Sequence, residues 1–159
     1  MDLLLRRATP SDAEAIAGVY VASWNEGFGD LLPPRVLNRE QVARWQRDLR
    51  EASGRWWLAE SAQLVIGFAG TGPSRDPIDA ALGEVDTIAV APHFWRHGVG
   101  RRLMSVAVSD LVDAGYREGI LWTLADHRQG SEFYQATGWQ ASGELRDGGR
   151  QMAFRRSLR

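Results

Sequence analysis

Hydrophobic residues recur along the chain at two spacings. A period of three to four residues is clearest from Val99 to Ala114 and predicts an amphipathic helix that ends at Gly115. The same period predicts helices from Thr9-Pro10 to about Trp24, from after Asn38 to near Gly54, and over 131–137. Alternating or continuous apolar runs predict strands over 3–7, 55–61, 64–71, 82–90, 119–125, 139–145 and 151–158.

The predicted order is therefore β-α-α-β-β-β-α-β-α-β-β. Strands that follow one another directly, at Ala62-Gln63 and at Asp147-Gly148-Gly149, are typical of hairpins. Such an order indicates an α+β or mixed-sheet α/β fold and excludes a doubly wound Rossmann fold. The segment 72–77 is too short to separate domains, so we expect one domain over 1–159.

Composition narrows the possible chemistry. The chain has 159 residues and a formal net charge of −1, which disfavours a nucleic-acid binder. It contains no cysteine, which excludes disulfides and thiolate metal sites. All 19 of its basic Lys and Arg positions are arginine, which excludes a Schiff base and a Walker-type P-loop. No apolar run is long enough for a signal-peptide core or a membrane span, so we expect a cytoplasmic protein without a membrane partner.

The most informative segment joins the strand 82–90 to the helix 99–114. It contains Pro92, Gly98 and Gly100. A strand, a glycine loop and a helix N-terminus together favour an anion such as a phosphate. Basic residues add positive charge at this one place: Arg96, His97, Arg101 and Arg102. A pair of glycines alone is equally compatible with a loop that only needs conformational freedom.

Two histidines of this segment, His93 and His97, have the spacing of metal ligands on a helix. Pro92 and Gly98 favour a loop instead, and no neighbouring acid completes a site. We therefore expect no metal.

Two carboxylates precede the loop on the same strand. Glu84 and Asp86 share one strand face with Ile88 and Val90, because side chains alternate with a period of two. Such carboxylates are suited to hold or deprotonate an ammonium group, although a strand end that faces solvent would show the same pattern.

Two motifs of the chain resemble those of the GNAT family of N-acetyltransferases. Val90-Ala91-Pro92 and Gly98-Val99-Gly100 are similar to the family's acyl-CoA loop, with Trp95 where the family has Gln or Arg. Phe133-Tyr134 and Gly138-Trp139 are similar to its C-terminal motif, in which His127 and Gly130 replace Asn and Ala.

The resemblance implies a mostly antiparallel central sheet flanked by helices, and acetyl-CoA as the co-substrate. It implies a bulge in the strand 82–90, with the backbone near Ile88 polarising the thioester and Val90 pairing with pantetheine. The residues implied to bind acetyl-CoA are Ile88, Ala89, Val90, Trp95, Arg96, His97, Gly98, Val99, Gly100, Arg101, His127 and Tyr134.

The implied activity is direct transfer of an acetyl group from acetyl-CoA to a primary amine in a ternary complex. Tyr134 is the expected general acid; without the family, Phe133 and Tyr134 would be interpreted as core aromatics. Glu84 is the expected base or amine binder, with Asp86 or a water chain as alternatives. A non-catalytic acyl-CoA-binding module is the alternative function, and a homodimer is left open.

The acceptor side is expected near the end of the first helix. Trp24 and Phe28 supply aromatic rings, and Glu26 and Asp30, in the loop after that helix, supply negative charge. If these groups converge with Glu84 and Asp86, they form a mouth that attracts cations. The expected acceptor is a small cationic amine or an exposed protein amine.

Overall fold

The structure, a computed structural model, describes residues 1–52 and 55–159. Short 3-10 turns precede the first and third helices, at Pro10–Asp12 and Pro92–Phe94. The helices and strands are β1 (Leu4–Arg7), α1 (Ala13–Phe28), α2 (Arg39–Ala52), β2 (Trp56–Ser61), β3 (Leu64–Pro73), β4 (Leu82–Val90), α3 (Val99–Asp113), β5 (Glu118–Leu124), α4 (Arg128–Ala136), β6 (Gln140–Arg146) and β7 (Gln151–Ser157).

The seven strands are hydrogen-bonded in the order β1-β2-β3-β4-β5-β7-β6. β1 with β2, β2 with β3, β5 with β7, and β6 with β7 are antiparallel, whereas β4 and β5 are parallel. The parallel pair requires a crossover, which α3 provides. The predicted element order and the mixed, mostly antiparallel sheet flanked by helices are confirmed.

Three boundaries differ from the sequence prediction by two residues or more. α1 continues to Phe28 rather than ending near Trp24, because Tyr20, Trp24 and Phe28 stack at helical spacing, with centroid distances of 5.9 and 4.8 Å. α4 begins at Arg128 rather than Ser131. β3 extends to Pro73, a position that a strand end tolerates. The predicted stop of α2 at Gly54 lies outside the described residues.

The turns follow their sequence signals. Ala62 and Gln63 both have positive φ angles, 50° and 65°, as a two-residue hairpin turn requires. At the start of the first helix, the Thr9 backbone N–H donates to Asp12 Oδ2 at 2.8 Å. Arg6 also donates to Asp12, and these hydrogen bonds lower the pKa of the Asp12 carboxyl, with the contribution of Arg6 the largest.

The described residues form two compact units. The first comprises Met1–Gly70 and Thr87–Val106, and the second comprises Thr71–Asp86 and Ala107–Arg159. The single domain over 1–159 stays a prediction.

The core of the first unit is aromatic. The Trp45 ring centroid lies 5.1 Å from that of Trp56 and 5.2 Å from that of Phe68, both edge-on. Gly70 is required beside them, because a Cβ there would come within 2.3 Å of the Trp56 ring. α3 also packs closely on β3, since a Cβ on Gly67 would lie 2.9 Å from the Leu103 side chain.

The core of the second unit is centred on Leu82, Ile120 and Ala153, each at most 1% exposed. Trp139 is equally buried. It lies so close to β5 that a Cβ on Gly119 would be 2.9 Å from its ring. This core carries β4 and α4, the elements on which Glu84, Asp86 and Tyr134 lie.

Candidate active site

Glu84 and Asp86 lie side by side on β4 in the second unit. Arg75 Nη2 lies 3.2 Å from Glu84 Oε2 and 2.8 Å from Asp86 Oδ1. Since one nitrogen reaches both carboxylates, they lie on the same strand face, as the alternation predicts. Glu84 is only 5% exposed, so the interpretation of a strand end facing solvent does not hold. In this group, the carboxylate pair with Arg75, the single guanidinium balances only one of the two carboxylate charges.

Arg75 is fixed in place by its own backbone. Its N–H donates to Glu84 Oε1 at 3.3 Å. The neighbouring Ser74 N–H donates to the Leu82 carbonyl at 3.0 Å, and the Ser74 hydroxyl donates to the Pro77 carbonyl at 2.6 Å. Burial lowers the pKa of Arg75, but the negative charges of Asp86 and Glu84 outweigh it and raise the pKa overall. Sequence reasoning missed Arg75, because a loop residue carries no periodic signal.

Tyr134 lies on α4, packed between two aromatic rings of the second unit. Its ring centroid is 5.5 Å from that of Phe133 and 5.7 Å from that of Phe154. Burial raises the pKa of the Tyr134 phenol to about 12. The hydroxyl is therefore protonated at pH 7, the form that a proton donor needs.

The two residues that differ from the family's C-terminal motif, His127 and Gly130, pack against each other. A Cβ on Gly130 would lie 2.5 Å from His127 Nδ1. The imidazole at position 127 therefore requires glycine at position 130, where the family has alanine. Burial lowers the pKa of His127, which favours the neutral ring.

In the first unit, the predicted acyl-CoA loop is an exposed turn between β4 and α3. Trp95 Nε1 donates to the Val90 carbonyl at 2.6 Å, so the residue that replaces Gln or Arg anchors the turn to the end of the strand. Arg96 and Gly98 have positive φ angles of 65° and 82°. Nothing lies within 4 Å of a Cβ built on Gly98, so glycine is required there by its backbone conformation rather than by crowding.

The start of α3 is suited to hold an anion through its backbone. Val99 is 1% exposed, so its side chain belongs to the core. A ligand at this helix end would meet the N–H groups of the first turn, which have no partners inside the helix. These observations fit the pyrophosphate of acetyl-CoA.

The four predicted acceptor residues lie at the end of α1. Trp24, Glu26 and Phe28 are helical, so the placement of Glu26 in the following loop is wrong; the stacked rings extend the helix past it. Asp30 does follow the helix. Glu26 and Asp30 belong to the first unit and the β4 carboxylates to the second. Their convergence stays a prediction.

The Trp24 ring already contacts a cation of the chain. The Arg35 Cζ lies 3.9 Å from the Trp24 ring centroid and 5.3 Å from that of Tyr20. Asn25 fixes Arg35 by accepting from its N–H at 2.8 Å and donating to its carbonyl at 3.0 Å. Sequence reasoning missed Arg35 as well, because it lies in an irregular segment.

Within residues 1–52 and 55–159, no three His, Cys, Asp or Glu side chains are grouped closely enough to hold a metal ion. His93 lies in the 3-10 turn and His97 in the turn that follows. Over the same residues, no helix combines the length and apolarity that a membrane crossing needs.

Comparison with known proteins identifies the class. The model of the acetyltransferase (GNAT) family matches residues 14–139. The chain belongs to this family, and the prediction of an acetyl-CoA-dependent N-acetyltransferase is confirmed at the level of the enzyme class.

Individual relatives agree with this assignment. The uncharacterised N-acetyltransferase YuaI of Bacillus subtilis (strain 168) is 28% identical over 136 residues, 83% of this chain and 77% of YuaI. The PaiA N-acetyltransferase of Thermoplasma acidophilum, solved with coenzyme A, has a TM-score of 0.78 at 18% identity and covers 99% of both chains. YncA of Salmonella typhimurium, an acetyltransferase-like protein solved with acetyl-CoA, has a TM-score of 0.76 at 16% identity, covering 100% of this chain and 95% of YncA.

Proposed function

We propose that this protein transfers the acetyl group of acetyl-CoA directly to a primary amine in a ternary complex. The acceptor is a small cationic amine or an exposed protein amine. The observation that carries the proposal is the carboxylate pair of the buried Glu84 and the partly buried Asp86, of which the single guanidinium of Arg75 balances only one charge. A net negative group attracts an ammonium.

Acetyl-CoA binds along the end of β4 and the turn that follows it. Pantetheine lies along Ile88, Ala89 and Val90, and the pyrophosphate lies at the turn from Trp95 to Arg101. The first N–H groups of α3 and the guanidinium groups of the turn neutralise the phosphate charge. His127, neutral at pH 7, contacts the co-substrate without adding charge.

In the reaction, the amine nitrogen attacks the thioester carbonyl carbon, so that a C–N bond forms and the C–S bond breaks. Glu84 takes the proton from the ammonium, directly or through water, with Asp86 as the second candidate. Tyr134 donates its proton to the departing thiolate. Its raised pKa of about 12 keeps that proton in place until the sulfur becomes negative.

The test is Tyr134→Phe, which removes only the hydroxyl. We expect kcat to fall by roughly 10²- to 10⁴-fold because the proton donor is lost, while acetyl-CoA affinity measured by calorimetry stays unchanged. CoA release is followed with a thiol reagent, to which this cysteine-free chain contributes nothing. The matched control is Tyr116→Phe, a phenol of the same unit.

An unchanged kcat in Tyr134→Phe would show that Tyr134 is a core aromatic residue and not the general acid. A wild-type protein that binds acetyl-CoA but acetylates no polyamine, aminoglycoside, amino acid or peptide would instead be the non-catalytic acyl-CoA module. A preference for acidic amines such as glutamate, or an unchanged KM in Glu26→Gln with Asp30→Asn, would contradict the acceptor class.

A further inference from the structure

A separate pocket, open to solvent, lies in the first unit along the segment that joins α1 to α2 and the first turns of α2. Its volume is about 670 Å³, within the range of small-molecule sites and far larger than one water. All of its lining residues come from the segment 35–47. None of them is among the residues assigned above to acetyl-CoA or to the amine.

The lining of this cavity is strongly cationic. It includes the three arginines Arg35, Arg44 and Arg47 and one acid, Glu40. Elsewhere Arg6, like Arg75, contacts two carboxylates within hydrogen-bond distance. Over the described part of the chain, no such ion pair is formed by any of the three cavity arginines. Uncompensated like charges repel one another, and a bound anion would remove that cost.

Aromatic rings hold two of these arginines in place. Arg35 lies on the Trp24 ring. Both Arg35 and Arg44 also lie near the Tyr20 ring, with their Cζ atoms 5.3 and 5.7 Å from its centroid. Contact with a ring uses the face of a guanidinium and leaves the N–H groups at its edge for hydrogen bonds. Arg35 Nε is buried without a hydrogen-bond partner among the described residues. The rings therefore fix the positions of the cations without using up their donors.

The N-terminus of α2 adds to the positive potential. Asn38, the residue before this 14-residue helix, lines the cavity, and its Oδ1 accepts from the Gln41 N–H at 3.0 Å. The helix dipole at this end has the same sign as the three guanidinium groups.

We propose that this cavity, the α1–α2 arginine pocket, binds a small molecule through its carboxylate or phosphate oxyanion. Planar guanidinium edges match the two oxygens of such a group. All of the lining residues come from one short segment, and the net charge of −1 for the whole chain disfavours a nucleic acid, so the expected ligand is a small molecule. None of its lining residues is assigned to the acetyl transfer proposed above, although Arg35 lies on Trp24, one of the expected acceptor residues.

The experiment titrates citrate and inorganic phosphate into the protein at constant ionic strength, with calorimetry as the readout. The protein carries Arg96→Gln and Arg101→Gln as a background variant, which removes two positive charges from the turn proposed to bind the pyrophosphate. Arg44→Gln with Arg47→Gln should weaken binding about tenfold or more, because two charged donors are lost. The matched control, Arg39→Gln with Arg50→Gln, changes the same charge on the same helix outside the pocket and should stay within about twofold.

A second readout is the ¹⁵N signal of the Arg35 Nε–H group, assigned by its loss in Arg35→Gln. It should shift on saturation with citrate, because the oxyanion becomes its acceptor. The proposal is overturned if neither anion binds saturably at about 10 mM in the background variant. It is also overturned if the control pair loses as much affinity as the pocket pair, or if the Arg35 signal does not move while citrate binds.

Discussion

Arg75 and Arg35 each contact a group that was expected to bind the acceptor's ammonium, the β4 carboxylates and the Trp24 ring respectively. The two sites nevertheless differ in the sign of the charge that is not balanced. Arg75 contacts two carboxylates and balances only one of their two negative charges. Arg35 contacts the rings of Trp24 and Tyr20, which cancel no charge, and its pocket stays positive. The groups that hold an arginine therefore decide whether the site attracts a cation or an anion.

Glu84→Gln should have the largest effect, because it removes the base and half of the negative charge beside Arg75. We expect kcat for a cationic acceptor to fall by about 10²-fold or more, measured as CoA release. Asp86→Asn is the matched variant and should lower kcat less. If Asp86→Asn is the more damaging change, the base is Asp86; if both variants keep full activity, the carboxylate pair is not catalytic.

Arg75→Gln tests the role of the charge pairing. We expect the free energy of unfolding to fall by about 1–2 kcal/mol, because the buried Glu84 loses its charged donor. Urea unfolding at low salt measures this loss, and about 1 M NaCl should reduce it. Arg117→Gln, an exposed arginine of the same unit, is the control. A loss no larger than that of the control would mean that Arg75 contributes nothing to holding Glu84.

Arg35→Gln should have the smallest effect, about 0.5–1 kcal/mol, because it removes a contact between a cation and two rings. Urea unfolding in about 1 M NaCl should give a loss at least as large as at low salt, since no ion pair is broken and salt screens the repulsion from Arg44 and Arg47 that the substitution relieves. A loss that salt abolishes would show instead that Arg35 acts through a charge, and the contrast with Arg75 would disappear.

The fold could be predicted from the sequence wherever one pattern dominated a segment. α3 and β4 have clear periods of 3.6 and two residues, and their predicted starts and the end of β4 agree with the structure. The end of α1 and the start of α4 could not be predicted in this way. The end of α1 depends on contacts between particular side chains, the rings after Tyr20, and no hydrophobic period marks the start of α4 at Arg128.

The candidate site, too, could be predicted from the sequence only in part. The common face of Glu84 and Asp86 follows from strand alternation, and the contacts of Arg75 agree with it. The partners of these groups do not follow from any period. Arg75 and Arg35 come from irregular segments, and only the folded backbone brings them to a carboxylate or a ring.

The identity of the cation on the carboxylate pair also determines whether the enzyme could acetylate its own side chain there. A guanidinium keeps its proton at any pH that the protein meets, so Arg75 offers no nucleophilic nitrogen although it touches the proposed base. A lysine in its place would present a primary amine to that base and would become a substrate. With arginine at every basic Lys or Arg position of the chain, no side chain can be consumed by the acetyl transfer that these carboxylates are proposed to promote.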